Sequence, residues 1–352
     1  MNKAIRVLII DDSALVREIL AAGLAMDPQI EVVGTATDPF DAKDKIVKLR
    51  PDVMTLDVEM PRMDGVEFLR QLMPQFPVPV VMVSALTERG KKITLAALEA
   101  GAVDFVTKPK GSLAAGLQGM MRQLIAKVKV ASTANVSGWK GRKPVRRVGA
   151  SSSRPEAAGN QVIVIGASTG GTEAIREVLQ KFPETMPGVI ITQHMPAGFT
   201  KLFAERLDSL VPMEVKEATE GDWIIPGRVL IAPGNHHMSV VCSGGSYKVS
   251  CRRGEKVNGH CPSVELMMQS AAKALGKNAV GIMLTGMGGD GARGLLAMRQ
   301  AGARTLAQDE ASSVVFGMPK VAFEMGGAEK LVPLGRIADT VIHWLNKNEA
   351  RI

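Results

Sequence analysis

The sequence predicts an α/β protein made of two doubly wound parallel-sheet domains. Three observations carry this. The chain has 352 residues, more than one ordinary hydrophobic core supports. Two long stretches alternate short, β-branched apolar runs with helical periodicity. One break in composition separates them. With 46% hydrophobic and 22% charged residues, the balance is that of a soluble globular protein. The chain has no apolar run long enough to span a bilayer, so no membrane insertion is expected. The apolar run 7–10 stops at Asp11-Asp12, too short for a signal sequence. Three scattered cysteines, Cys242, Cys251 and Cys261, suit a reducing compartment, so a cytoplasmic protein is expected.

The break falls at residues 131–160, ASTANVSGWKGRKPVRRVGASSSRPEAAGN. Six basic residues and one acid give it +5 of the chain's net +8. It lacks apolar periodicity and reads as a flexible basic tether. Neither interleaved aromatics nor a recognition-helix pattern accompanies the charge, so no nucleic-acid binding is expected. The expected domains are therefore 1–125 and 161–352, with a linker over 126–160.

In the first domain, strand patterns at 5–10, 31–36, 52–56, 80–84 and 103–107 alternate with helical ones. Asp38-Pro39 marks one helix start, an Asp cap followed by Pro at the first helical position. In such sheets the ligand lies beyond the carboxyl ends of the strands. Those ends carry Asp11 and Asp12, Asp57, Ser84 and Lys108-Pro109. Three carboxylates at one edge repel each other unless a cation lies among them, and a few hard oxygen ligands suit Mg²⁺. A lysine and a hydroxyl beside them would bind phosphoryl oxygens. The set fits a phosphorylated aspartate, with Asp57 as acceptor and a cis Lys108–Pro109 bond aiming the lysine at the acids.

The pieces VLIIDDSALVR, VMTLDVEMPRMDG, VVMVSA and DFVTKP resemble the receiver domain of bacterial response regulators over about residues 3–121. The resemblance implies a flavodoxin-like fold and a phosphoryl group delivered to Asp57 by a partner histidine kinase. It further implies Mg²⁺ on Asp11, Asp12 and Asp57, Lys108 on the phosphoryl group, and Ser84 with Phe105 as the switch.

In the second domain, VIVIGASTGG runs a strand pattern into a loop of small residues, and TEAIREVLQKF follows with helical spacing. The loop has no lysine for a phosphate-binding P-loop, and its glycines do not give G-x-G-x-x-G. It does match G-x-S-x-G, the pattern that sets a nucleophilic serine, here Ser168, on a strand-to-helix turn. A serine needs a base. His194 ends the apolar run 188–193 and so stands at the same sheet edge. His236 and His237, after the strand pattern 228–232, are reserve candidates. His343 lies in an amphipathic C-terminal pattern and reads as structural. Asp290 follows a third buried strand pattern in LTGMGGDGA and is the candidate carboxylate. The order Ser…His…Asp is not that of the α/β-hydrolases, but a triad is recognised by geometry.

IGASTGGTEAI, ITQHMPAGFTKLFAERL, LTGMGGDGA and QDEASSVVFGMP resemble the catalytic domain of the chemotaxis protein-glutamate methylesterases, from about residue 161 to near 341. The resemblance implies a Rossmann-like domain in which Ser168, His194 and Asp290 form a triad, with Thr169 and Met287 at the oxyanion. In NGHCPSVELM, Cys261 stands where the family usually has arginine and Glu265 where it has aspartate. The implied activity is hydrolysis of glutamate methyl esters on chemoreceptors, and the same machinery could also hydrolyse a glutamine amide. The receiver, tethered by the basic linker, is expected to cover the catalytic edge until Asp57 is phosphorylated. A non-catalytic, phosphorylation-dependent adaptor is the alternative.

Overall fold

Contacts divide the chain into two units, Met1–Pro144 and Val145–Ile352. The computed structural model describes residues 3–85, 87–109, 113–140 and 161–349. The first unit alternates β1 (Ile5–Ile10), α1 (Ala14–Leu24), β2 (Ile30–Ala36), α2 (Pro39–Leu49), β3 (Val53–Asp57), α3 (Gly65–Leu72), β4 (Val80–Ser84), α4 (Glu88–Glu99), β5 (Asp104–Thr107) and α5 (Leu113–Ala131). The sheet order is β2-β1-β3-β4-β5, and every pairing is parallel. Every residue of β3 and β4 is buried, as a parallel strand covered on both faces requires. At the start of α2 the Asp38 carboxylate accepts from the N–H of Phe40 and Asp41, with Pro39 at the first helical position. The direction of strand addition reverses between β1 and β3. That opens a crevice at their carboxyl ends, beside Asp11 and Asp57.

The expected linker start at 126 needs correction. Helix α5 runs on to Ala131 because its apolar stripe does not stop at 125: Leu124, Val128 and Ala131 are fully buried. A short turn of 3-10 helix follows at Ser137–Trp139. There the Trp139 ring packs so closely on Gly101 that an added Cβ would lie 3.1 Å from it. The rest of the expected tether, 141–160, lies outside the described residues.

The second unit contains β6 (Val162–Ala167), α6 (Gly171–Leu179), β7 (Gly188–Gln193), α7 (Phe199–Asp208), β8 (Glu214–Glu217), β9 (Arg228–Ile231), β10 (His237–Ser243), β11 (Ser246–Arg252), α8 (Val264–Leu275), β12 (Ala279–Met283), α9 (Ala292–Gln300), β13 (Arg304–Gln308), α10 (Met318–Glu324), β14 (Lys330–Val332) and α11 (Leu334–Glu349). Seven strands form one sheet in the order β14-β13-β12-β6-β7-β9-β8, again wholly parallel. From β6 the chain builds outward through β7, then returns to add β12 on the other side. The switch point therefore lies between β6 and β12. A separate antiparallel hairpin, β10–β11, turns at Gly244-Gly245. Its Met238, Val240 and Val249 join Met267, Met268 and Ala271 of α8 in one buried cluster. Full burial of each such valine or methionine side chain contributes about 1.5–3 kcal/mol. The cluster anchors α8, whose N-terminus borders the switch point.

Candidate functional site

At the first switch point, β1 delivers Asp11 and Asp12, and β3 delivers Asp57. Carboxylate oxygens of the three lie within 4.8 Å of one another. Asp11 and Asp57 are buried and Asp12 is exposed. Lys108 Nζ donates to Asp57 Oδ1 at 3.0 Å and to Asp11 Oδ2 at 3.1 Å. Burial pushes the Asp57 carboxyl up to about 6, against the pull of Lys108 and with a further push from Asp11. Burial also works against the Lys108 charge, but the Asp57 and Asp11 carboxylates prevail and hold its ammonium above the ordinary value. Three clustered carboxylates against one ammonium leave excess negative charge. Their hard oxygen donors fit a divalent cation such as Mg²⁺.

The cis bond expected at Lys108–Pro109 is not found; Cys261–Pro262 is the cis bond among the described residues. The Lys108 backbone N–H donates to Ser84 O at 2.7 Å, which extends the β4–β5 pairing. The side chain reaches both acids from there without a cis bond. Ser84 is buried, with Thr94 Oγ1 2.6 Å from its hydroxyl, so α4 holds it. Phe105 is buried on β5. Lys127 of α5 lies 5.2 Å from its ring centroid and donates to its carbonyl at 2.7 Å.

At the second switch point, Ser168 follows β6, His194 follows β7 and Asp290 follows β12. The Ser168 loop is held by backbone bonds: its N–H donates to Thr285 O at 3.0 Å, and its carbonyl accepts from Gly171 N at 2.8 Å. Gly170 sits at φ 76, the left-handed region that favours glycine. Across the crevice, Gly286 lets the β12 loop approach: a Cβ there would lie 2.7 Å from Ser168 Cβ. The N-terminus of α6 stands behind the serine and favours negative charge.

His194 Nε2 lies 2.8 Å from Asp290 Oδ2. A carboxylate at Nε2 keeps the proton there and leaves the lone pair on Nδ1. That Nδ1 is buried and makes no hydrogen bond, so it is open to accept a proton. The reserve histidines are occupied elsewhere. His236 Nδ1 contacts Gly234 O at 3.1 Å. His237 contacts Glu255 O and the Ser263 N–H. His343 lies on α11, away from these loops in sequence.

Asp290 is unusually well satisfied. Besides His194 it accepts from Asn258 Nδ2 at 2.9 Å, Ser263 Oγ at 2.9 Å, Val264 N at 2.7 Å and Glu265 N at 3.4 Å. Burial alone would raise its carboxyl. The hydrogen bonds from His194 and Asn258, the His194 charge and the Val264 amide outweigh this and bring it down to about 2. Glu265 is buried. It turns its carboxylate to the Gly291 N–H at 3.1 Å and to Gln269. It thus answers Asp290 across the α8 and α9 termini.

Of the expected oxyanion groups, Thr169 is buried and Met287 about half exposed. Thr285 Oγ1 donates to Thr169 O at 3.0 Å, tying the loops after β6 and β12 together. The Met287 backbone N–H donates to no described residue.

Four residues that sequence reasoning missed complete the site. Gln193 Nε2 donates to the Ser168 carbonyl at 2.9 Å and the His194 carbonyl at 3.3 Å, fixing both loops. Asn258 and Ser263 hold Asp290, and His260 stacks on His194. The one signal available was Asn258-Gly259, a tight-turn dipeptide.

Residues 163–341 match the family described as CheB methylesterase, and residues 7–115 match the response regulator receiver domain. A Syntrophotalea carbinolica protein named protein-glutamate methylesterase/protein-glutamine glutaminase is 65% identical over 350 residues, 99% of each chain. A Pseudomonas aeruginosa protein with that name, numbered 2, is 51% identical over 343 residues, 96% of each chain. The crystal structure of the Thermotoga maritima CheB methylesterase catalytic domain aligns with a TM-score of 0.51 at 36% identity, covering 52% of this chain and 98% of that one. Among the described residues no helix is long and apolar enough to cross a membrane.

Proposed function

The chain belongs to the CheB methylesterase family and carries a response-regulator receiver domain, and from that premise we propose how its residues act. Ser168 Oγ attacks the carbonyl carbon of a glutamate γ-methyl ester on a chemoreceptor, and its proton passes to His194 Nδ1. Asp290 keeps the His194 ring oriented and stabilises the imidazolium that forms as the proton arrives. Backbone amides at Thr169 and Met287 meet the negative oxygen of the tetrahedral intermediate. The C–O bond to methoxide breaks, and His194 returns the proton so that methanol leaves. Water then attacks the acyl-enzyme with His194 again as base, which frees the glutamate and restores Ser168. A glutamine amide passes through the same steps with ammonia leaving, so deamidation belongs to the same site.

The observation that carries this reading is the His194–Asp290 pair, whose remaining ring nitrogen is buried and unpartnered at the edge where Ser168 follows β6. The adaptor alternative is not favoured, since such a module has no use for a histidine held by a saturated carboxylate beside a serine.

In the receiver, Asp57 accepts a phosphoryl group from a histidine kinase. Asp11, Asp12 and Asp57 would hold Mg²⁺, which when bound neutralises charge on the transferring group. Lys108 then pairs with the phosphoryl oxygens, and Ser84 and Phe105 respond to it. The receiver restrains the esterase until phosphorylated, and the protein works in the cytoplasm on the inner segments of receptors. Methanol release from methylated receptor membranes tests the central step. Wild-type chain should release methanol and Ser168→Ala should not. Equal release by both would refute the mechanism.

A further inference from the structure

We infer that His260 is a positioning residue for the base, its imidazole acting as a flat wall that fixes the plane of the His194 ring. This rests on the reading of Ser168, His194 and Asp290 as the hydrolytic set. The ring centroids of His194 and His260 lie 3.7 Å apart, and the planes differ by 5°. His194 is otherwise anchored at one ring atom, by Nε2 on Asp290. The terminal torsion of a histidine is broad, so one hydrogen bond leaves a hinge about which Nδ1 can swing. A parallel ring against one face removes that freedom.

His260 is itself well fixed. Val257 and His260 exchange two backbone hydrogen bonds of 3.0 Å. Between them Asn258 has φ 51 and Gly259 φ 84. That is the Asn-Gly two-residue turn with both central residues left-handed, a favoured tight turn. From one end of this turn Asn258 donates to Asp290 Oδ1 at 2.9 Å. From the other, His260 covers His194. One turn thus sets both the base and its acid.

The contact also changes during the reaction. A cation over a π face is attracted to it. When Ser168 Oγ gives its proton to His194 Nδ1, the His194 ring becomes that cation and the stack tightens. An interaction stronger in the transition state than in the ground state raises kcat and leaves substrate binding unchanged.

The test uses full-length protein with Mg²⁺ and a small phosphodonor. It measures methanol release from methylated receptor and the rate at which a fluorophosphonate labels Ser168, with thermal unfolding followed in parallel. His260→Leu, which fills the space without a flat face, should lower kcat about 10–100-fold, the scale of a small misplacement of a reacting group, with KM within about twofold. Fluorophosphonate labelling should slow by a similar factor. His260→Phe restores a flat π face and should recover most of the loss. His260→Ala should resemble the leucine variant. Three outcomes would overturn the inference: wild-type kcat in folded His260→Leu, a loss confined to KM, or His260→Phe as impaired as His260→Leu. A wild-type chain that neither releases methanol nor labels at Ser168 would instead remove the hydrolase reading, and this inference with it.

Discussion

Asp57 and Asp290 occupy corresponding places in the two sheets. Each follows or ends a strand beside the point where the direction of strand addition reverses, and each is buried. Their surroundings are nevertheless opposite. Asp57 sits near two other acids with one lysine between them, and its carboxyl is pushed up to about 6. Asp290 accepts from a histidine, an asparagine, a serine and the first amides of α8, and it falls to about 2. The difference separates two uses of a carboxylate. Asp57, proposed to take a cation and a phosphoryl group, accepts from the Lys108 ammonium and the Val58 N–H. Asp290, proposed only to orient the histidine and stay charged, is saturated with partners.

The contrast can be broken at either end, and the largest effect belongs to the nucleophile. Ser168→Ala should lower methanol release by about 10⁴–10⁶-fold if the triad acts as a unit. Acid-labile phosphate on Asp57 should be unaffected, because the two chemistries lie in separate sheets. A loss under about tenfold would contradict the covalent route. Asp290→Asn should cost about 10²–10⁴-fold, chiefly in kcat.

Asp290→Asn should also alter the acid limit of stability. The Asp290 carboxyl falls from 3.8 to about 2 on folding. Its stabilisation is therefore complete above about pH 4 and is lost as pH falls through about 2. The catalytic unit should lose on the order of 2–3 kcal/mol across that window, at about 1.4 kcal/mol per pKa unit. The asparagine variant should lack that increment in acid unfolding curves.

A smaller change concerns the receiver as a restraint. A fragment starting at Gln161 should exceed the unphosphorylated full chain in activity by about 5–100-fold, the span of an ordinary coupling free energy. Equal or lower activity of a folded fragment would make the receiver an activator only.

The last expected effect is at Asp57, and it has the opposite sign to the stability effect at Asp290. A carboxyl raised from 3.8 to about 6 favours folding below its unfolded value, and that advantage disappears as pH rises through about 6. At neutral pH the buried charge costs on the order of 2–3 kcal/mol. In chelator-containing buffer, Asp57→Asn should therefore raise the urea midpoint of the receiver at pH 7.5 and have little effect at pH 4. Millimolar Mg²⁺ should stabilise wild type more than the variant. A gain of equal size at pH 4 and 7.5 would show that burial of the charge is not its source.

Much of this was legible because α/β sheets place chemistry at strand ends, and strand ends show in sequence. The runs ending at Asp11, Asp57, Ser168 and His194 are short, apolar and followed by small or polar residues. Asp290 was readable from the glycines around it. What surrounds these residues was not. Asn258, His260 and Ser263 come from an irregular stretch between β11 and α8, where no period says which way a side chain points. The β10–β11 hairpin turns on a Gly-Gly pair that sequence reasoning passed over. Helix α5 outruns the boundary expected at 125 because Val128 and Ala131 continue its buried stripe. The Lys108–Pro109 bond differs from the expected cis form because the lysine side chain reaches both acids without it.

One measurement tests most directly the claim that phosphorylation of Asp57 in one sheet governs Ser168 in the other. Methanol release from methylated receptor is followed with Mg²⁺, with and without a small phosphodonor, for wild type and Asp57→Asn. Release by wild type should rise on adding the donor, and Asp57→Asn should stay at the unstimulated rate. A donor response that survives in Asp57→Asn, or a wild type that does not respond while Asp57 is phosphorylated, would contradict it.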